Sequence, residues 1–390
     1  MRWHSFRSRH WQPMQHSRER KLGAATFEAS RDDTPRTGNL PPVSPRILVV
    51  RLSAFGDIVL TTTLLAGIRR TWPDAHIGWL VDRRFASVLE GHEGIDSLHR
   101  WDRQAWTDAL RKRQIGELVA GIRCLRDSLL QERYELALDA QGLAKSALLA
   151  RLSGAPVRWS LRPRELAGMI SGRSISTRGQ RDLIGHEYRE MLAAIGCPTP
   201  DAMPWMPVTE PAGEVATRLL ASEGIESGFV ALCPFTTRPQ KHWFEARWIE
   251  LGNAIAKLGR QPVLLGGPQD ADAAARMTRS MRALGVGGAS SIAGRTSLGH
   301  AGAILARASA TVGVDTGLTH LSIASGTPTV GLFGSALPYL RVPPPHIVLR
   351  EPMACSPCDR RPTCNGRFDC MRALSVDRVL ASLKSALRAG

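Results

Sequence analysis

The stretch Val312-Gly-Val-Asp315-Thr-Gly-Leu-Thr-His320 places a carboxylate, a glycine turn and an imidazole within a few residues of one another. Residues 308–314 are small or β-branched and read as an inner strand, and 318–325 read as a helix that stops at Gly326-Thr-Pro328. A helix starting there leaves the N–H groups of Thr316, Gly317 and Leu318 facing outward at its positive end, which suits a phosphate, with Asp315 and His320 on either side. Taken alone, a strand ending in D-x-G is also an ordinary tight turn with a capping aspartate. Three more loops at predicted strand ends make the first worth pursuing. Ser53-Ala-Phe-Gly-Asp57 follows an apolar run at 46–52, so that Gly56 allows close approach of a ligand and Asp57 sits at the carboxyl edge of the strand; an N-cap is the commoner role for such an aspartate. Ala140-Gln-Gly-Leu-Ala-Lys-Ser146 follows a strand at 135–139 and offers Gln141 and Lys145. Pro234-Phe-Thr-Thr-Arg-Pro-Gln-Lys-His-Trp243 follows a strand at 229–233 and offers Thr236, Thr237 and Lys241, while His242 and Trp243 read as packing.

The elements that position these loops alternate between strand and helix. Strands are predicted at 46–52, 76–81, 135–139, 229–233, 262–266, 308–314 and 328–333, with helices at 58–70 and 244–258. Ile115, Leu118, Val119, Ile122, Leu125, Leu129 and Leu130 recur at helical spacing and predict a core helix. The segment 197–211 carries Pro198, Pro200, Pro204 and Pro207 before Pro211 and has little periodicity, so it reads as a linker. The resulting expectation is an α/β protein with a tail at 1–45, one half at 46–196, the linker, and a second half at 212–390 that ends in a helix. Ligands of doubly wound sheets bind beyond the carboxyl ends of the strands, so the loops of both halves point to one cleft, the layout of a two-domain nucleotide-sugar transferase. The dinucleotide fingerprint G-x-G-x-x-G and the Walker P-loop are both absent, and His186-Glu187 lacks the second histidine of a metalloprotease helix.

Charge narrows the partners. The chain has 390 residues and a formal net charge of +16, which favours an acidic partner: nucleic acid, anionic lipid or a phosphorylated substrate. Residues 1–45 hold eight Lys or Arg against four Asp or Glu, hence +4, and the remaining +12 belongs to the rest of the chain. This tail lacks an apolar period and the apolar stretch of a secretory signal, which reads as disorder or as an over-extended start of the reading frame, in a cytoplasmic protein. No apolar run approaches the roughly 20 residues of a membrane span.

Five motifs in order, Arg51-Leu-Ser-Ala-Phe-Gly-Asp57, Asp139-Ala-Gln-Gly-Leu-Ala-Lys-Ser146, Thr236-Thr-Arg-Pro-Gln-Lys-His-Trp243, Gly266-Gly-Pro268 and Asp315-Thr-Gly-Leu-Thr-His320, resemble the bacterial lipopolysaccharide heptosyltransferases, most closely the type I members, over about residues 46–385. The resemblance implies a GT-B fold of two Rossmann-like domains facing across a cleft. It also implies inverting transfer of heptose from ADP-heptose to a Kdo sugar on lipid A by a monomer at the inner face of the membrane, with no required cofactor and no nucleic acid. By the same resemblance, Asp57 is the general base, and Lys241 with the helix start at Thr316, Gly317 and Leu318 holds the ADP phosphates. Thr236 and Thr237 add hydroxyl donors there. Asp315 fixes sugar hydroxyls, His320 flanks them, and Asp270 contacts the nucleoside. The acceptor side takes Gly56, Arg100, Arg103, Gln141, Lys145 and Arg164, with Arg100-Trp-Asp-Arg103, Trp106 and Arg111-Lys-Arg113 forming a cationic loop with aromatic anchors.

Cys355, Cys358, Cys364 and Cys370 depart from the type I pattern and are similar to a cluster of type II-like relatives. Their spacing allows a structural zinc site but is not that of a standard ribbon, and thiols packing a loop are the preferred reading; Cys124, Cys197 and Cys233 read as core. Two other classes remain open. A basic nucleic-acid-binding protein accounts for the charge but lacks a recognised nucleic-acid motif, and a nonhydrolysing sugar epimerase shares the two-domain layout without needing an anionic lipid acceptor.

Overall fold

A computed structural model describes residues 44–175, 183–197, 202–339, 342–358 and 361–390. The reading of 1–45 as a tail therefore lies, apart from Ser44 and Pro45, outside the described residues.

Two six-stranded parallel sheets carry the fold. The first comprises β1 (Arg46–Val50), β2 (His76–Asp82), β3 (Ser97–Trp101), β4 (Leu136–Asp139), β5 (Val157–Leu161) and β6 (Arg173–Ile175), in the order β3-β2-β1-β4-β5-β6. The second comprises β7 (Val230–Cys233), β8 (Pro262–Leu264), β9 (Ser290–Ser291), β10 (Ala310–Val314), β11 (Thr329–Phe333) and β12 (Ile347–Arg350), in the order β12-β11-β10-β7-β8-β9. Both repeat one winding, in which the direction of strand addition reverses between the first and fourth strands, as in a Rossmann sheet. The α/β expectation of two Rossmann-like halves holds.

Period-two alternation in strands that are apolar throughout buries both faces of each sheet. In β1, Ile47 and Val49 pack with Ile58, Leu64 and Trp79, while Leu48 and Val50 point the other way, into Leu80, Leu125 and Leu129. In β7, Val230 and Leu232 meet Trp248 and Leu251, whereas Ala231 and Cys233 meet Leu220 and Leu305. The last helix, Val376–Ala389, closes the second sheet by burying Val379, Leu383 and Ala386.

Several sequence expectations need correction. Residues 58–70 form two helices, Phe55–Thr61 and Thr63–Thr71. In the helix Ile115–Gln131 only Leu125 and Leu129 are buried, and Ile115 and Val119 are exposed, because the helix covers the sheet with one narrow stripe. The cationic loop is not a loop. Arg100 lies in β3, Arg103 opens the helix Arg103–Arg111, Trp101 is buried, and Trp106 packs edge-on against it. Cys124 is exposed, whereas Cys197 and Cys233 are buried. Residues 202–208 are irregular and touch both halves: Trp205 N–H donates to Thr62 Oγ1 at 2.9 Å, and Met206 N–H to the Ala324 carbonyl at 3.0 Å.

Candidate active site

In each sheet the loops after the first and fourth strands flank the reversal point, and side chains cross between them. In the first half, Arg51 leaves β1 and reaches Asp57 Oδ2 at 2.6 Å and the Ala140 carbonyl at 2.5 Å. Gln141 Oε1 accepts from Leu52 N–H at 2.9 Å, so the turn after β4 pins the loop that carries Asp57. That turn is organised by Asp139. Its buried carboxylate accepts from the N–H groups of Gln141 and Gly142 at 3.0 and 3.1 Å and from Ser160 Oγ at 3.0 Å. Burial raises the Asp139 pKa above the ordinary carboxylate value despite these donors. Asp57 lies in the first turn of the helix Phe55–Thr61, half exposed, with Oδ2 also accepting from Ala54 N–H at 3.3 Å. The capping role is thus real, yet it uses one oxygen, and Oδ1 has no hydrogen-bond partner among the described residues. A carboxylate oxygen left open in this way can accept a proton from an incoming hydroxyl.

In the second half, the short turn Pro239–Lys241 after β7 aims Lys241 at the end of β10, where Nζ lies 2.5 Å from Asp315 Oδ2. His320 Nε2 approaches Asp315 Oδ1 at 3.3 Å, and His320 Nδ1 meets the Tyr339 hydroxyl. Thr236 Oγ1 donates to the Asp315 carbonyl at 3.5 Å, and His242 Nε2 contacts the Thr236 carbonyl at 2.9 Å. Burial pushes the Asp315 pKa up, but the hydrogen bond and charge of His320 together with Lys241 outweigh it and hold the carboxyl at about 2. Tyr339 is pushed the other way, first by burial and then by Asp315. The helix Gly317–Ala324 begins directly after this cluster, and Thr316 at its N-cap makes no side-chain cap. The N–H groups of Gly317 and Leu318 have no acceptor among the described residues. Donors of this kind, with an ammonium nearby, can hold an anion. Lys241 keeps two further N–H donors beyond the one engaged by Asp315.

The two helix starts meet. A Cβ built on Gly56 would lie 2.9 Å from His320 Cδ2 and 3.3 Å from Gly317 Cα, and one on Gly317 would collide with the Phe55 ring. Gly56 therefore serves helix-to-helix approach here. Asp57 and the anion site are brought together by this contact, and a second tie joins the halves where Ile184 N–H donates to the Pro338 carbonyl at 3.1 Å.

The other sequence candidates stand after β4, β5, β7 and β8 and at the edge strand β3. Asp270 Oδ2 accepts from Gly267 N–H at 2.8 Å and from Gln269 at 3.3 Å, capping its own turn. Thr237 and Arg164 are exposed, and Lys145 is half-buried in the first turn of the helix Ala144–Leu152. Arg100 pairs with Glu90 at 3.0 Å on the edge strand, away from β1. Sequence reasoning missed Arg51, Tyr339 and Glu187. Glu187 opens the helix His186–Ala194, and its pKa is raised by burial against the opposing pull of Arg162 and Arg51. Only Arg51, inside the first motif, carried a signal.

The four clustered cysteines are thiols, with Cys355 and Cys358 half-buried and Cys364 and Cys370 buried. Cys370 Sγ packs against Gly334. Among the described residues no three His, Cys, Asp or Glu side chains are placed to hold a metal ion. No helix among the described residues is long and apolar enough to cross a membrane.

Known proteins share this architecture. Lipopolysaccharide heptosyltransferase 1 of Salmonella typhimurium is 28% identical over 309 residues, covering 76% of this chain and 90% of its own. Lipopolysaccharide heptosyltransferase 2 of the same organism is 26% identical over 359 residues, covering 88% and 98%. The E. coli heptosyltransferase WaaC, solved with ADP-2-deoxy-2-fluoro heptose, superposes with a TM-score of 0.65 at 24% identity, covering 87% of this chain and 99% of that one. That likeness extends the agreement to the GT-B fold. The family description "Glycosyltransferase family 9 (heptosyltransferase)" matches residues 122–366, well over half of the chain. The two-sheet fold and a family match of that extent lead to one conclusion: the chain is a member of glycosyltransferase family 9, the heptosyltransferases.

Proposed function

We propose that the protein transfers heptose, with inversion, from ADP-heptose to a Kdo-lipid A acceptor during lipopolysaccharide core assembly, working as a monomer at the inner face of the cytoplasmic membrane. The observation that supports this reading is the meeting of the two helix starts, with Asp57 in the first turn of one and the open N–H groups of Gly317 and Leu318, near the Lys241–Asp315 pair, at the start of the other. Inverting transfer needs both features near one anomeric carbon.

In the proposed step the acceptor hydroxyl oxygen attacks the anomeric carbon from the face opposite the diphosphate. The new carbon–oxygen bond forms as the bond to the phosphate oxygen breaks. Asp57 takes the hydroxyl proton on Oδ1, while Arg51 keeps the carboxylate oriented. ADP leaves with the bonding electron pair, and Lys241, Thr316, Gly317 and Leu318 stabilise its growing charge, so no metal is needed in this scheme. Thr236 and Thr237 supply hydroxyl donors, Asp315 with His320 holds sugar hydroxyls, and Asp270 takes the nucleoside with the oxygen its turn leaves over. Gln141, Lys145 and Arg164 lie on the β4 and β5 side for the anionic acceptor, with Arg100 and Arg103 on the β3 side.

The test offers purified protein ADP-heptose with either Kdo-lipid A or heptosyl-Kdo-lipid A, and reads product mass. A gain of one heptose on Kdo-lipid A alone supports the proposal. A gain only on the already heptosylated acceptor makes the protein a type 2 enzyme instead, and salt-sensitive tight binding to unrelated DNA without transfer would favour the nucleic-acid reading.

A further inference from the structure

The helices Ala144–Leu152 and Ala167–Ser171 pack together at the β5 side of the first sheet and leave three large apolar side chains in solvent. Leu148 is 53% exposed, Leu166 62% and Met169 83%. Lys145 and Arg151 stand three residues before and after Leu148 and so share its helix face, and Leu166 and Met169 share a face by the same spacing. Around them Arg151, Arg164 and Arg173 are exposed and Lys145 is half-buried, against one exposed carboxylate, Glu165. That carboxylate is engaged locally, accepting from Ala144 N–H at 3.1 Å. An exposed apolar group with a predominantly cationic rim has a specific chemical counterpart: acyl chains beneath anionic headgroups.

We infer that this face docks on an anionic lipid bilayer, an inference that rests on the reading of the acceptor as lipid-linked and adds the surface that meets the lipid. Charge complementarity singles it out. The other exposed apolar group, Leu110, Ile115 and Val119, lies among four cations and three carboxylates between residues 102 and 119, a mixed field that gives no comparable attraction. Connectivity to the site supports the same face. Arg164 N–H donates to the Gly142 carbonyl at 2.8 Å, tying the patch to the turn whose Gln141 holds the Asp57 loop.

The experiment is flotation of the full chain with vesicles of phosphatidylcholine alone or of equimolar phosphatidylcholine and phosphatidylglycerol. The protein is expected to float with the anionic vesicles and not with the neutral ones. Leu166→Ser with Met169→Ser should lower partitioning by at least about tenfold, with an unchanged thermal midpoint showing that the fold persists. Arg151→Glu with Arg173→Glu should remove the preference for anionic lipid, and Leu110→Ser with Ile115→Ser should leave it intact. Patch variants that float like the wild type, or a wild type indifferent to anionic lipid, overturn the inference. So does a concentration-dependent dimer that Leu166→Ser and Met169→Ser dissolve, because the face then belongs to a second copy. Flotation does not read heptose transfer, so a failure of the proposed chemistry leaves this result interpretable. Loss of docking accompanied by full transfer to a detergent-solubilised acceptor separates the two in the other direction.

Discussion

Replacing Lys241 by Met keeps most of the side-chain volume and removes the charge. Lys241 Nζ sits 2.5 Å from Asp315 Oδ2, with both side chains largely buried. Stripping a partner from a buried pair costs about 3–5 kcal/mol when the remaining charge is left alone. Asp315 is not left alone, since His320 Nε2 stays 3.3 Å from its other oxygen. The stability loss should therefore fall to about 1–3 kcal/mol, the range for losing one partner of a buried polar group. The catalytic loss is larger, because in the proposed step the ammonium acts where charge develops on departing ADP. Removal of one such stabiliser is worth about 100- to 1000-fold in kcat, and ADP affinity should weaken as well. Lys241→Arg should recover part of the rate, its planar fork matching the compact ammonium incompletely. The assay is steady-state ADP release with calorimetric ADP titration and thermal unfolding in parallel. A kcat within about twofold of wild type, in a variant shown to be folded, refutes the reasoning, since a group acting on the leaving diphosphate cannot be removed at so small a cost.

Three further outcomes are expected. The Asp315 pKa is lowered from 3.8 to about 2, so the carboxylate contributes stability that is fully present above about pH 4 and is lost as pH falls toward 2, about 2 kcal/mol in all; urea unfolding should show the wild-type advantage over Asp315→Asn shrinking by that amount across this window, and a constant gap would contradict it. Arg51→Met frees Asp57 from its 2.6 Å partner and should lower kcat about tenfold or more through lost orientation while ADP affinity is kept; an equal loss of ADP affinity would point to general unfolding of the loop. Gly56→Ala places a Cβ 2.9 Å from His320 and 3.3 Å from Gly317, and should destabilise by about 1–3 kcal/mol through overpacking, read as a lower thermal midpoint together with weaker ADP binding. An unchanged midpoint would mean the two helix starts separate freely.

Central parallel strands were legible because they are apolar on both faces and end in turn residues, as at β1, β4, β7 and β10. Edge strands were not. Ser97-Leu-His-Arg-Trp101 mixes polar and apolar residues because one side is open, Arg173–Ile175 is short, and β9 is only Ser290–Ser291. The amphipathic period at 115–130 was real, but periodicity reports a face and not its depth, so Ile115 and Val119 stayed outside the core. At the site, the loop motifs pointed to Asp57, Lys241 and Asp315. Their partners depend on contacts between residues distant in sequence: Tyr339 reaches His320 from a separate loop, and Gly56 meets Gly317 only once the two halves have packed. Asp270 shows the converse, a carboxylate singled out by motif whose visible work is to cap its own turn.

The most direct test of the account is a single-turnover reaction of enzyme, ADP-heptose and Kdo-lipid A, comparing the wild type with Asp57→Asn and reading ADP release, product mass and anomeric configuration together. The account predicts one inverted heptose per ADP for the wild type, and for Asp57→Asn a loss of transfer of at least about 100-fold, as for a general base, with ADP still bound. Normal transfer by Asp57→Asn, or a product with retained configuration, would contradict it.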